Sequence, residues 1–254
     1  TAEIAADIAS RLEGDRSHKG EFIDRLKAAG EDNCARLVTA ALCSRGVDAR
    51  YLSPREGGLL LSDEYGNAQI LPESYDNLSA LREARGVTVF PGFFGYTREG
   101  KVVTFSRGGS DITGSILAAA VRAELYENFT DVDTVLAADP RVIGTARAIP
   151  ELTYREMREL AYAGFGVLHD EAIIPAVHAE IPIRIRNTRN PEGPGTLIVP
   201  ERHYTAGAVA GIAADTGFCT VFTGKYLMNR EIGFGRRLLE IFEDEGLSYE
   251  HAPS

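Results

Sequence analysis

The chain has 254 residues, of which 44% are hydrophobic and 25% charged, a composition typical of a globular protein with one large domain or one domain and part of another. Its formal net charge of -10 opposes the counterion release that drives binding to DNA or RNA, so we expect no nucleic-acid partner. No apolar run approaches the ~20 residues of a membrane span and no signal-peptide pattern opens the chain, so we expect no membrane partner and a cytoplasmic location.

The sequence predicts no metal site and no disulfide framework. Cys34, Cys43 and Cys219 are an odd number and lack CxxC spacing. His169, His178 and His203 lack the HExxH or Cys/His spacing of zinc sites, so they are interpreted as structural or solvent-facing residues.

Helices and strands alternate along most of the chain. Charged helical sequence comes first, a new helix opens at Gly30, and Gly46 ends it. Strands are predicted near 47–52, 87–90, 101–106, 125–130, 183–187 and 196–199, with a short excursion or hairpin within 59–71 and helices over 112–123, 153–168 and 171–179. This alternation favours an α/β layered sheet.

Two local signals refine the predicted helices. Thr153 and Glu156 have the spacing of a capping box at a helix start. Pro175 removes an intrahelical donor, and we expect it to kink the helix over 171–179.

Residues 200–207, with the sequence PERHYTAG, are the best linker candidate. An apolar run, an amphipathic helix over 231–243 and a strand-like LSYEH follow, as in a βαβ unit. So few elements cannot bury both faces of a sheet, so residues 208–254 are interpreted as an incomplete second domain.

The sequence TFSRGGSDITGSILAAAV begins at Thr104 and places two glycines at a strand-to-helix turn. Unpaired amides at a helix start favour an anion, and Gly108 and Gly109 lack the Cβ atoms that would hold a phosphate away. A side-chain cap from Ser110 or Asp111 would explain the turn without a ligand, and the turn alone leaves both interpretations open. Neither GxGxxG nor GxxxxGK[ST] is present.

Three segments carry a family resemblance: SRGGSD at 106–111, FTDVDTVLAADPR at 129–141, and LHDEAIIPAVHAEIPIRIRNTRNPEGPGTLIV at 168–199. Their order and spacing resemble the aspartate kinases of the amino-acid kinase family. The resemblance implies a three-layer αβα sandwich, N-terminally incomplete, over residues 1–199. It also implies a partial α+β domain similar to ACT regulatory domains over 208–254.

The resemblance implies ATP-dependent phosphorylation of the L-aspartate side chain to 4-phospho-L-aspartate, with Mg²⁺, on the route to lysine, threonine and methionine. Arg107 and Asp111 match the family's catalytic positions. The resemblance also implies that both residues bind the amino acid, and that Glu31, Gly108, Gly109 and Ser110 bind it with them. A guanidinium can pair bidentately with an α-carboxylate, which agrees with this role for Arg107. Without the resemblance, Glu31 would be interpreted as an exposed acid at a helix start.

Thr130, Asp131, Asp139 and Arg141 match the nucleotide-binding pattern of the family. Hydroxyl and carboxylate groups at a strand end can reach base and ribose hydroxyls, and an arginine can reach phosphate. The alternative is a strand end with ordinary Asp turn signals. The sequence departs from the family at Gly166, where a lysine is common, and at Leu136, where a tyrosine is common.

The family's K-x-G-G-[ST] segment does not occur in these residues, so we expect the 254 residues alone to be inactive, because phosphoryl transfer depends on positioned positive charge. The ACT-like resemblance implies a homo-oligomer and a lysine or threonine effector near the residues Met228, Asn229, Gly233 and Phe234. Packing of Met228 and Phe234 in a core is an equal alternative. A kinase for another acidic amino acid and a non-catalytic regulatory subunit remain alternative functions.

Overall fold

A computed structural model describes residues 2–14, 16–162, 170–203, 207, 209–214, 216–249 and 251–252. Its helices are α1 (Ala2–Glu13), α2 (Lys19–Ser44), α3 (Pro54–Gly57), α4 (Glu73–Ser79), α5 (Gly109–Val121), α6 (Tyr154–Tyr162), α7 (Ile174–His178) and α8 (Phe234–Asp244). Its strands are β1 (Ala49–Tyr51), β2 (Val87–Val89), β3 (Phe94–Tyr96), β4 (Val102–Thr104), β5 (Tyr126–Thr130), β6 (Glu151–Thr153), β7 (Ile183–Asn187) and β8 (Thr196–Val199). Single 3₁₀ turns cover Ala80–Glu83, Asp170–Ile173 and Met228–Arg230. Among the described helices, none combines the length and apolarity needed to cross a membrane.

Three sheets form among the residues that the structure describes, and they confirm a mixed α/β fold. β1 pairs in parallel with β2, and β3 pairs antiparallel with β4. The third sheet has four strands in the order β5-β7-β8-β6, in which only the β7–β8 pair is antiparallel. The parallel β5–β7 pair brings the carboxyl ends of these two strands to one edge of the sheet.

Helix α5 contributes to two hydrophobic cores. Ala118 packs with the core of the four-stranded sheet, which includes Leu152, Met157, Ile183, Ile185 and Ile198. Ile116 and Ala120 pack in the other core with Leu59, Leu61, Leu78, Val103 and Phe105. Because α5 is buried from two sides, its N-terminal turn is held in a defined position between β4 and the four-stranded sheet.

The prediction of a new helix at Gly30 is wrong, because α2 runs unbroken from Lys19 to Ser44. A glycine inside a helix costs about 1 kcal/mol relative to alanine. Here the residues on both sides, among them Ala28, Ala29, Asp32 and Asn33, are buried. Their packing outweighs the weak local preference. The predicted end at Gly46 is confirmed, since Gly46 follows the C-cap with a φ of 79°.

The prediction of a kink at Pro175 is also wrong. Residues 170–173 form a 3₁₀ turn, and α7 then begins with Pro175 in its first turn. Proline is tolerated there because the first amides of a helix have no intrahelical acceptor. Residues 163–168 of the predicted helix 153–168 lie outside the described residues.

The capping box at the start of α6 is confirmed. The amide of Glu156 donates to Thr153 Oγ1 at 3.2 Å, and the Thr153 amide donates to Glu156 Oε2 at 2.8 Å. Each side chain therefore satisfies an amide that the helix leaves without a partner.

The chain divides into two compact units, Thr1–Ala214 and Asp215–Ser254. In the first unit, Ala210 and Ala213 pack against the core of the four-stranded sheet, so this unit extends beyond the predicted boundary at residue 199. In the second unit, α8 confirms the predicted helix. The strands predicted around it are wrong for the described residues 216–249, which contain a 3₁₀ turn and one helix.

Candidate active site

The strand-to-helix turn forms as the glycines predict. β4 ends at Thr104 and α5 begins at Gly109, preceded by Gly108 as N-cap with a left-handed φ of 80°. Glycine adopts this conformation without the steric cost that a Cβ would impose. No side chain caps α5, so the interpretation of Ser110 or Asp111 as a helix cap is wrong.

Gly109 is required by a close approach within the protein. A Cβ at this position would lie 2.8 Å from Phe93 Cδ2 and 2.8 Å from Phe105 Cβ. Gly109 is buried, whereas Arg107 and Ser110 are exposed. Packing within the protein thus explains why residue 109 is a glycine. The surface that a ligand could reach belongs to its polar neighbours, Arg107 and Ser110.

The sequence reasoning missed Phe93, which covers this turn. Its φ of 74° is unusual for a residue with a Cβ, and such strain is found mainly at functional sites. The Phe93 amide donates to Thr113 Oγ1 at 3.0 Å, and the Phe93 carbonyl accepts from the Phe105 amide at 3.0 Å. Nothing in the local pattern PGFFGY predicts a left-handed phenylalanine.

Asp111 is held from the side by β5. Asn128 Nδ2 donates to Asp111 Oδ1 at 2.8 Å, and the Tyr126 hydroxyl donates to the Asp111 carbonyl at 3.2 Å. Burial raises the pKa of the Tyr126 phenol to about 12, so the hydroxyl keeps its proton at neutral pH. The sequence reasoning missed both β5 residues, although a buried asparagine in a strand signals a polar partner.

Arg107 carries an exposed guanidinium at the same turn. Among the residues that the structure describes, it forms no ion pair. A guanidinium with free donors on the same turn as the Asp111 carboxylate presents both charges that complement a zwitterionic amino acid.

Glu31 is exposed on α2, and no described hydrogen bond joins it to the glycine turn. The helix itself is tied to β4, since the buried carboxylate of Asp24 accepts from the Thr104 amide at 2.8 Å. The same oxygen accepts from the Gly66 amide at 2.8 Å. The role of Glu31 stays a prediction.

Thr130 ends β5, and the loop after it carries the other three predicted nucleotide-binding residues. Thr130 donates to Asp131 Oδ1 at 3.3 Å, and the Thr188 amide beside β7 donates to the Thr130 carbonyl at 2.9 Å. Asp139 is paired with Arg141, whose Nη2 lies 2.7 Å from Asp139 Oδ2, and this contact lowers the pKa of Asp139.

Crowding of acidic side chains in this loop is relieved by the protein. Asp133 Oδ1 accepts from Asn187 at 3.1 Å and from Asn190 at 3.2 Å. The acidic composition of the loop therefore does not by itself require a ligand, although Asp131 and Asp133 are both exposed.

The four residues of the predicted effector site lie at the start of the second unit's helix. Met228 and Asn229 belong to the 3₁₀ turn, Gly233 is the N-cap of α8 with a φ of 79°, and Phe234 is its first residue. Met228 and Phe234 are half-buried, which leaves both alternatives for them open. Gly166 lies outside the described residues.

A separate cleft of about 280 Å³ is lined by Arg155, Glu156, Glu159, Leu160, Ala210 and Gly211. None of these six residues was predicted to belong to a site. Among the described residues, no cluster of three or more histidine, cysteine, aspartate or glutamate side chains is arranged to hold a metal ion.

The chain is similar to known aspartokinases in sequence and in fold. Aspartokinase 3 of Bacillus subtilis is 57% identical over 252 residues, which are 99% of this chain and 56% of the relative. The crystal structure of Escherichia coli aspartokinase III in complex with aspartate and ADP superposes with a TM-score of 0.72 at 29% identity, covering 80% of this chain and 46% of that one. The aspartate kinase of Clostridium acetobutylicum gives a TM-score of 0.73 at 36% identity, covering 91% and 51%.

The chain spans about half the length of the curated relatives it matches. A sequence model described as the amino acid kinase family matches residues 1–187, and this match includes the glycine turn and the loop after β5. The chain therefore belongs to the amino acid kinase family.

Proposed function

We propose that the protein carrying this chain is an aspartate kinase, which transfers the γ-phosphate of ATP to the side-chain carboxylate of L-aspartate. The observation that carries the proposal is the turn itself, where exposed Arg107 and the Asn128-bound carboxylate of Asp111 flank the start of α5. The likeness to aspartokinases, one of them solved with aspartate and ADP, supports the same substrates.

The turn offers a complementary group for each charge of aspartate. Arg107 would pair with the α-carboxylate, and Asp111 would accept from the α-ammonium. The first backbone bond at this end of α5 runs from the Ile112 amide to the Gly108 carbonyl at 3.0 Å. The amides of residues 109–111 precede it, so they and the helix dipole favour negative charge at this end.

The loop after β5 is the proposed nucleotide subsite, with Thr130, Asp131, Asp139 and Arg141 near the base, ribose or phosphates. For Arg141 to meet a phosphate, it would exchange its contact with Asp139 for the ligand. Mg²⁺ would enter with ATP and neutralise charge on the transferred group. The carboxylate of aspartate attacks directly, so no protein nucleophile is needed.

The activity test uses the protein at its natural length. ADP release is measured with MgATP and L-aspartate, with L-glutamate as the competing substrate. We expect turnover with aspartate and little with glutamate. A preference for glutamate would show that the substrate is another acidic amino acid. ADP release that does not depend on the added amino acid would contradict a kinase of this class.

Arg107→Ala tests the proposed contact with the α-carboxylate. We expect the KM for aspartate to rise at least about tenfold while the KM for ATP stays nearly constant. Arg45→Ala removes another exposed arginine, at the C-cap of α2, and serves as the control. Equal KM values for aspartate in the two variants would remove Arg107 from the amino-acid subsite.

We also propose that the second unit binds an end-product amino acid, lysine or threonine, near Met228, Asn229, Gly233 and Phe234. We further propose that this unit contributes to a homo-oligomer. The support is the resemblance of residues 208–254 to ACT domains and the turn that precedes α8. Calorimetric titration with each amino acid tests the effector, and no heat with either would contradict it. The oligomer is tested by light scattering, where a monomeric mass would contradict it.

A further inference from the structure

Strand β5 connects the two proposed subsites through one of its faces. Successive side chains of a strand point to opposite faces, so Tyr126, Asn128 and Thr130 lie on the same face. Tyr126 and Asn128 contact Asp111 in the amino-acid subsite, and Thr130 opens the nucleotide loop. Asn128 therefore lies on β5 between Tyr126, in the amino-acid subsite, and Thr130, which leads into the nucleotide loop. A phosphoryl transfer must align the substrates in these two subsites.

The contacts form a closed set of hydrogen bonds. Asn128 Nδ2 donates both to Asp111 Oδ1 at 2.8 Å and to the Tyr126 hydroxyl at 3.1 Å. The Tyr126 hydroxyl in turn donates to the Asp111 carbonyl at 3.2 Å. Each of the two β5 side chains thus supports the other's contact with Asp111.

The donor groups of Asn128 and Tyr126 are largely enclosed by protein. Asn128 is only 8% exposed, and a Cβ at Gly114 would lie 2.7 Å from the Tyr126 hydroxyl oxygen. Water therefore has little access to replace a lost donor, and an amide removed here leaves the carboxylate oxygen short of a partner.

We propose that Asn128 and Tyr126 are positioning residues for the phosphoryl transfer, which orient the Asp111 carboxylate and fix its distance from the nucleotide loop. This inference rests on the proposed function. Among the described residues, Asp111 Oδ2 accepts no hydrogen bond from the protein, so it is the oxygen left for the substrate. Loss of the Asn128 donor frees the carboxylate to rotate away from that orientation.

The main test is Asn128→Leu, which keeps the approximate size of the side chain and removes the donor. Kinetics with MgATP and L-aspartate should show kcat reduced about tenfold to a hundredfold, the range for a lost hydrogen bond to a charged group. The KM for ATP should change much less. Asn128→Asp, which has nearly the same shape but cannot donate when ionised, should lose at least as much.

Asn33→Leu is the matched control. Asn33 is 5% exposed, and its amide donates to Asp7 Oδ2 at 2.9 Å and to the Ala29 carbonyl at 2.9 Å. It therefore has the same chemistry at a residue to which no role in the proposed site is assigned. We expect Asn33→Leu to lower the melting temperature without a comparable loss of kcat.

Tyr126→Phe provides a second variant if Asn128→Leu does not fold. Tyr154→Phe is its control, because the Tyr154 hydroxyl is also buried and donates to the Ile181 carbonyl at 2.7 Å. We expect Tyr126→Phe to lower kcat several-fold and Tyr154→Phe to affect stability alone.

The outcomes separate this inference from the proposed function. No aspartate-dependent ADP release by the unmodified protein would reject both. An active unmodified protein with kcat within about twofold in Asn128→Leu, Asn128→Asp and Tyr126→Phe would reject the positioning role alone. A fall in kcat that the Asn33 and Tyr154 controls reproduce would also reject it, since the effect would then follow from stability.

Discussion

The two glycines of the turn meet different physical needs. Gly108 takes a left-handed φ of 80°, which other residues adopt at a cost, while Gly109 allows Phe93 and Phe105 to approach the backbone. A residue pattern alone cannot distinguish these needs. The distinction matters for function, because only the need that Gly109 meets depends on which side chains pack against the turn.

Gly109→Ala tests this close approach. The new Cβ would lie 2.8 Å from the Phe93 ring and from Phe105 Cβ, so we expect a loss of about 1–3 kcal/mol in the free energy of unfolding. Urea denaturation gives the value. Gly30→Ala is the control, because nothing lies within 4 Å of a Cβ there and the helix should gain about 1 kcal/mol. Equal stability of Gly109→Ala and the unmodified protein would contradict the packing argument.

At the scale of elements, single carboxylates connect helices by hydrogen bonds to segments that are distant in sequence. Asp24 joins α2 to the end of β4 and to the turn at Gly66, and it is 1% exposed. Glu156 joins the start of α6 to Arg202, which follows β8. In both cases one side chain satisfies several donors that packing alone would leave unpaired.

Asp24→Ala would leave the amides of Gly66 and Thr104 without an acceptor. We expect a loss of about 2–4 kcal/mol in the free energy of unfolding, from one buried and one partly buried donor. Asp24→Asn keeps an acceptor oxygen, so its loss should be smaller. Chemical denaturation of both variants checks this order, and equal losses would show that the charge, rather than the acceptor, stabilises this junction.

The ion pair of Glu156 with Arg202 predicts a pH dependence. The hydrogen bond from Arg202 is the main cause that lowers the pKa of Glu156 below its ordinary value of 4.5. The stabilisation is therefore complete above the unfolded pKa and is lost as the pH falls from that value through the lower folded pKa. Glu156→Gln should cost about 1–3 kcal/mol at pH 7 and progressively less below pH ~4.5, as urea denaturation across pH would show. A pH-independent difference would contradict the ionic contribution.

At the scale of the molecule, the first unit ends beyond the last strand. The Ile212 amide donates to the Ala137 carbonyl at 2.8 Å, and a Cβ at Gly211 would lie 3.2 Å from Leu160 Cδ2. Residues 209–214 thus belong with the core of the four-stranded sheet, next to the loop that carries the proposed nucleotide subsite.

Hydrogen exchange followed by mass spectrometry tests this boundary. The Ile212 amide should exchange slowly, because it is bonded to a carbonyl of the first unit. The amides of residues 217–222 make no described backbone hydrogen bond and should exchange fast. Equal exchange rates in the two segments would place the boundary elsewhere.

Much of the fold was predictable because its signals are short-range. The capping box at Thr153 and Glu156, the stop at Gly46 and the turn at Gly108 depend on neighbours within a few residues. The predictions at Gly30 and Pro175 are wrong because contacts beyond the nearest residues, or the position within the helix, outweigh the local signal. Their local preferences are worth about 1–3 kcal/mol, and burial of the flanking residues or placement at a helix start decided the outcome.

The candidate site shows the same division. Arg107, Asp111 and the loop after β5 could be named from spacing and from family resemblance. Phe93 and the support from Tyr126 and Asn128 could not. Their partners lie 15 to 20 residues away in sequence, across a turn or an intervening helix.

The sequence by itself determined the alternation of helices and strands in an α/β fold, the turn before α5 and membership in the amino acid kinase family. Those properties reside in local periodicity, in backbone permissiveness and in motif order. Only the tertiary structure decided which side chain fills the space at Gly109, which donors hold Asp111, and where the first unit ends. The physical reason is that hydrogen bonds and packing act over a few ångströms in space, and chain folding alone determines which residues come that close, as with Asp24 and Thr104, 80 positions apart.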